Sequence, residues 1–299
     1  MTVLYGIKVN SFYKLVEQVL FEVRFPLRFS TFSKKMYGNF VHVFLLVYKE
    51  KLNVSYRRLV EICDENNLQR MLCIKRIPHF TTLQKFLQKI NKTVFEKMVR
   101  ACHKILSLKN IEASVDGTGF SNTNPSHYYS KRVDGVEVKN FTKTVFLTDN
   151  KTKLVLNIRT HSDRSSETLD FIPLVRDLVK VLKTVIADKG YDAKTNREYC
   201  WSNNIDVHIP VREWKQNRKG FGHKPHLSKH AKKAVKLFKK NVYNKRALIE
   251  SVNSAIKRTL GSYINSRKPE NQQKQTTIKA LAYDIETMNR IIKIWILIN

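Results

Sequence analysis

The 299-residue chain is short of cysteine, of acidic residues and of long apolar runs. Four cysteines, Cys63, Cys73, Cys102 and Cys200, are scattered without a C-x-x-C pair in a chain long enough to fold without staples, so they read as reduced thiols. No stretch approaches the ~18 apolar residues needed to cross a bilayer, the longest candidates being 40–48 and 294–298, and a membrane span is excluded. The first ten residues hold a single lysine and no apolar stretch leading to a small-residue cleavage site, so no secretory leader is expected. The expected location is the cytoplasm, at the nucleoid. Acidic residues number only 25 against 55 Lys plus Arg, a formal charge of +30.

What is present is enough apolar material, 42% hydrophobic and 10% aromatic residues, to bury a core of ordinary size in one large or two ordinary domains. A charge of that size calls for a polyanionic partner, and nucleic acid fits best because the excess runs along the whole chain. A solubilising surface or a polybasic face for anionic lipid would give the same composition.

Residues 1–108 carry 19 basic and 7 acidic residues and helical apolar spacing almost throughout. Phe40, Val43, Phe44, Val47 and Tyr48 form one stripe. Ser55 stands as N-cap to a second helix through Leu59, Val60, Ile62 and Cys63, and Thr81 as cap to a third through Leu83, Phe86, Leu87 and Ile90; a fourth covers 93–106. Short helices with Lys75, Arg76, Lys85 and Lys89 around the third suit a helix-turn-helix that enters a DNA groove, and suit equally a helical bundle with a basic solvated face.

The period changes after Asn110. Residues 111–120 alternate as a strand, further strands are expected at 136–148 and 153–159, then a helix over 167–181 capped by Ser165 or Ser166, a strand at 183–188, a helix at 194–203 and a strand at 205–211. Long helices follow, the last carrying Ile278, Leu281, Ile285, Met288, Ile292 and Trp295 as a core stripe. That order predicts an α/β fold, a mixed sheet flanked by helices of the RNase H-like type, behind an all-α domain, with a boundary near 108. Residues 212–240, with 11 basic residues to one acidic and broken by Gly220, Gly222 and Pro225, read as a basic, mobile insertion.

Asp116 sits at mid-strand, where a carboxylate is costly unless paired, and a divalent cation is a usual partner. Asp188 ends a second strand, at the edge where open α/β sheets place ligands. Tyr243, Arg246, Glu250 and Lys257 fall at offsets −7, −4, 0 and +7 from Glu250, within roughly 60° of one helical edge. Asp-Gly-Thr-Gly-Phe at 116–120, Ala-Asp-Lys-Gly-Tyr-Asp at 187–192 and Tyr-x2-Arg-x3-Glu-x6-Lys from Tyr243, separated by 72 and 62 residues, resemble the insertion-sequence transposases with an RNase H-like DDE catalytic domain. The likeness covers about 55–295.

The resemblance implies that Asp116, Asp188 and Glu250 hold two Mg²⁺ ions, with Mn²⁺ as a substitute, and that Tyr243, Arg246 and Lys257 hold DNA phosphate. It implies cleavage at transposon ends and transfer of the 3′-hydroxyl into target DNA, by a homodimer or larger assembly on double-stranded DNA. Lys75, Arg76, Lys85, Lys232, Lys233, Lys236, Lys239 and Lys240 are expected DNA contacts, with Trp214 either stacking on an unpaired base or anchoring its loop. His223, His226 and His230 have spacings open to zinc, though DNA contact suits them better, and His161 is either near the active site or a surface residue. Two other readings remain at this stage: a DNA-binding protein that keeps the fold without transposing, and a metal-dependent nuclease that cuts without joining.

Overall fold

The computed structural model describes residues 2–32, 36–122, 141–162, 166–212 and 228–298. Six helices come first: α1 (Thr2–Glu22), α2 (Asn39–Leu52), α3 (Tyr56–Glu65), α4 (Leu68–Met71), α5 (Phe80–Lys89) and α6 (Lys92–Ile105). Local signals set their limits. Ser55 Oγ accepts from the Arg58 N–H at 3.2 Å and opens α3, and Asn91 opens α6 by accepting from Thr93. The cap of α5 is His79, whose ring accepts from the Thr81 N–H, and not Thr81 itself. Asn53, at φ 51°, closes α2 in the left-handed conformation that asparagine tolerates.

The sheet follows: β1 (Ile111–Asn122), β2 (Phe141–Asp149), β3 (Val155–His161), β4 (Leu182–Ala187) and β5 (Asp206–His208) lie in the order β3-β2-β1-β4-β5. The first three form an antiparallel meander, while β4 and β5 run parallel to β1. This is the mixed sheet that the RNase H-like expectation requires. Where a helix was expected over 167–181 there is a 3-10 turn (Glu167–Asp170) and a short α7 (Phe171–Arg176), because the chain must turn back at Leu178 to enter β4. Residues 136–140 of the expected second strand, and the Ser165 cap, lie outside the described residues. Further helices are α8 (Lys194–Ser202), α9 (Lys229–Leu237), α10 (Lys240–Tyr243), α11 (Ala247–Leu260) and α12 (Pro269–Ile298), with the two-residue β6 (Tyr263–Ile264) pairing with the end of β1.

Strand alternation sorts the apolar residues onto two faces. Ala113, Val115, Val145, Leu147 and Val185 meet Phe171, Leu174 and Cys200 of α7 and α8. Phe120, Phe146 and Ile158 meet Ile249, Val252 and Ile256 of α11 and Leu281 and Ile285 of α12. This second core continues without a break into Phe44 and Val47 of α2, Met98 and Cys102 of α6 and Phe12 and Val16 of α1. Residue 108 marks a change of secondary structure, and the core runs across it. Two buried polar ties reinforce the seam. Asp284 of α12 accepts from the Val155 N–H of β3 at 2.8 Å, and Glu50 of α2 lies between Lys49 at 2.7 Å and Lys279 of α12 at 3.2 Å. The apolar stripe of α12 is buried from Ile278 to Met288, but its last turn leaves the core: Trp295 is 54% exposed. Cys63, Cys102 and Cys200 are buried and Cys73 exposed, all of them free thiols.

Candidate active site

Asp116 and Asp188 are brought together by register. β1 and β4 are parallel neighbours with Val115 opposite Ala187, so the next residue of each, Asp116 and Asp188, stands at the same level. The backbones of such neighbours are about 4.8 Å apart, and residues in register leave on the same face. β4 ends at Ala187, and Asp188 turns the chain by accepting from the Gly190 N–H.

The face that receives Asp116 is the one covered by α11. Asn253 of α11 donates to Asp116 Oδ2 at 3.2 Å, while its own Oδ1 is buried without a hydrogen-bond partner among the described residues. The sequence motifs do not include Asn253, although 250, 253 and 257 share one helical stripe. Arg246 pairs with Glu250 at 2.6 Å, and Lys257 sits 5.7 Å from the centroid of the Phe120 ring. Burial pushes the Lys257 ammonium down, opposed by the charge of Asp116. Tyr243 precedes α11 by a 3-10 turn (Asn244–Arg246); its ring packs 5.3 Å from that of Phe238, and it lies within electrostatic reach of Arg246.

Glu167 is a second residue the sequence reading missed. Its carboxylate lies so close to Gly117 that a Cβ there would collide with it, which is why glycine follows Asp116. Lys143 at 3.2 Å and the Tyr191 hydroxyl at 3.1 Å hold it in place. Gly117 faces the opposite side of β1 from Asp116, so Glu167 backs the strand. Only a tertiary approach across 50 residues of chain reveals it.

Burial pushes the Asp116 carboxyl up to about 6, opposed by the Gly117 backbone hydrogen bond and by Arg246 and reinforced by Glu167 and Asp188. A raised acid favours its protonated form, so the fold loses stability as pH rises through that value. Asp116→Asn is therefore expected to raise the metal-free melting midpoint by a few degrees at about pH 7.5 and to leave it unchanged at about pH 4. Calorimetry in a chelator checks this; equal shifts at both pH values would assign the gain to packing alone.

Among the described residues no group of three His, Cys, Asp or Glu side chains converges as a metal site, since Glu250 is engaged with Arg246. The donors nevertheless suit a hard cation: two in-register carboxylates, one of them half-buried under like charge, beside an unsatisfied amide oxygen. His161 is tied to Asp170 at 2.8 Å and His230 to Glu198 at 3.3 Å. Of the basic segment, α9 docks on α8 through buried Ala234 and through Lys233, 4.2 Å from the Trp201 ring centroid. Lys232, Lys236, Lys239 and Lys240 are exposed, as are Lys75, Arg76 and Lys85. Trp214, His223 and His226, and the expected mobility of 213–227, lie outside the described residues.

A mixed sheet with an acidic residue at mid-strand and another at the tip of its parallel neighbour defines the chain as an RNase H-like α/β protein with a carboxylate site. More particularly, it belongs to the family of the transposase DDE domain, which matches residues 109–285. It is a DNA transposase, of a family that cleaves and joins DNA and generally uses divalent metal ions. Similar solved structures include the piggyBac transposase synaptic complex with hairpin DNA, at 11% identity and a TM-score of 0.48, covering 94% of this chain and 74% of that one. A pre-cleavage Mos1 transpososome is similar at 13% identity and a TM-score of 0.23, covering 80% of this chain and 79% of that one. The curated proteins contain no match. Among the described residues no helix is long and apolar enough to cross a membrane.

Proposed function

We propose that the chain cuts double-stranded DNA at transposon ends and transfers the freed 3′-hydroxyl into target DNA, with Asp116, Asp188 and Glu250 as ligands of two Mg²⁺ ions. The observation that carries this reading is the shared level and face of Asp116 and Asp188, with Arg246, Glu250, Asn253 and Lys257 along the helix above them. When bound, such an ion pair activates the attacking oxygen and stabilises the leaving one. The protein's own residues do the rest. Asn253 fixes one oxygen of Asp116. Glu250 would hold the cation in place of Arg246, and the Arg246 guanidinium, with Lys257, would then be available to the scissile phosphate. Water and a sugar hydroxyl are both oxygen nucleophiles, so one set of residues serves cleavage and joining.

Mn²⁺ is expected to substitute for Mg²⁺, and Ca²⁺ to support binding without chemistry. Residues 1–108, with Lys75, Arg76 and Lys85, carry end recognition in this reading. Lys232, Lys236, Lys239, Lys240 and Trp214 extend the DNA track, in a homodimer or larger assembly at the nucleoid.

Arg246→Ala and Lys257→Ala are expected to lower end cleavage by about 10²-fold, the scale of a misplaced reacting group, while divalent-metal affinity stays near wild type. Isothermal titration with Mn²⁺, run beside a cleavage assay, separates the two. Loss of metal binding in either variant would make these residues part of the metal site's architecture and remove them from phosphate positioning.

A further inference from the structure

β6 pairs with Ser121 and Asn122 at the end of β1, and the chain then runs straight into the wall of a cleft of about 750 Å³. Three separate pieces build that cleft: the start of α3, the outward face of α5 and the 265–271 link into α12. Arg57, Arg267 and Lys268 line it and no carboxylate does; a further lining lysine, Lys49, is already neutralised by Glu50.

The three cations have no acidic partner among the described residues. Of the exposed acids of α3, Glu61 and Glu65 are both taken by Arg58, at 3.0 and 3.3 Å. The Arg57 guanidinium lies 5.1 Å from the Phe80 ring centroid, which holds it in place and lowers the entropy cost of binding an anion. Gln84 and Gln88, one turn apart on α5, add amides that both donate and accept.

The cleft lies on the β6 side of the carboxylates. From Asp116 to Ser121, where β6 pairs, is five strand residues, about 17 Å, and the cleft begins just past β6, at Asn265. Lys257, beside Phe120, lies on the way. Fixed, unpaired positive charge at one end of a line that starts from the carboxylates suits a long polyanion more than a small one.

We infer that this cleft grips the duplex flanking the cut: Arg57, Arg267 and Lys268 each neutralise a backbone phosphate on the β6 side of the scissile bond. This rests on the transposase reading above and adds a docking site to it, made jointly by the helical half and the link into α12.

The test is the salt dependence of binding between the full chain and a random-sequence duplex, since backbone contacts are independent of sequence. Each phosphate contact contributes about −0.9 to the slope of log K against log salt. Arg57→Gln/Arg267→Gln/Lys268→Gln is expected to flatten that slope by about 2.7 units and to leave Mn²⁺ affinity unchanged. The single exposed changes Arg267→Gln and Lys268→Gln are each expected to flatten it by about 0.9, which keeps the measurement available if the triple variant folds poorly. Wild-type DNA binding with an unchanged slope in these variants would overturn the cleft alone. Absence of wild-type DNA binding would overturn the transposase reading together with it.

Discussion

Asp116→Asn and Asp188→Asn are each expected to reduce transposon-end cleavage by about 10³-fold or more while duplex binding stays within about twofold. Each change keeps the shape of the side chain and removes one anionic oxygen from a site whose cations neutralise charge in the transition state, a contribution of several kcal/mol, where 1.36 kcal/mol is tenfold in rate. In the proposed reading DNA affinity rests on basic residues elsewhere and does not share that loss. Glu250→Gln is expected to match the aspartate variants, although Glu250 is more than half exposed and ion-paired with Arg246 in this structure. Its lesson differs, because only a Glu250 that leaves Arg246 for the cation can be essential. A gel assay of end cleavage in Mg²⁺, with anisotropy for binding, checks all three. Near wild-type cleavage by any one of them removes that residue from the site.

The largest effect on stability is expected at Glu50. Its carboxylate is buried between Lys49 and Lys279, and Gln275 donates to it at 3.3 Å, so α2 and α12 are joined by a polar cluster inside the core. Burial pushes the Glu50 carboxyl up, and Lys49 and Lys279 more than offset it, leaving its pKa below the usual value. Glu50→Ala strands two buried ammonium groups and is expected to cost about 3–5 kcal/mol in urea unfolding. Pairing it with Lys279→Met recovers part of that loss, because the remaining charge is then nearer to balance. The pH dependence has a fixed sign. A lowered carboxyl contributes stability above its ordinary pKa of 4.5 and loses it as pH falls through the folded-state value, so the acid limb of the wild-type stability curve is steeper than that of Glu50→Gln. Parallel acid limbs would mean that the carboxyl is not held low.

Much of this was legible in the chain. Alternation in 111–120 and the apolar run ending at Ala187 placed Asp116 on a strand and Asp188 at the tip of one, because a half-buried sheet imposes its period directly on the sequence. The break at 244–246 was not legible, since Asn244, Lys245 and Arg246 fit a regular helix as well as a tight turn. Glu167 and Asn253 were missed for a different reason. Each gains its meaning from a contact far along the chain, with Gly117 and Asp116 respectively, and no local pattern encodes such a contact. The long helix expected over 167–181 fails similarly: apolar spacing continues through Leu178, but there the residue turns the chain into β4.

The unbroken core between the first six helices and the α11 face of the sheet bears on how such a protein can change over evolutionary time. The first six helices and the sheet cannot be exchanged as independent cassettes here. Ile249, Val252 and Ile256, the helical residues that set the height of Asn253 over Asp116, belong to the same packed mass as Phe44 and Met98. Interiors of that density transmit a change of even one methylene. A foreign helical half grafted in place of the first six helices would have to reproduce the packing that sets Asn253 over Asp116 as well as its own fold.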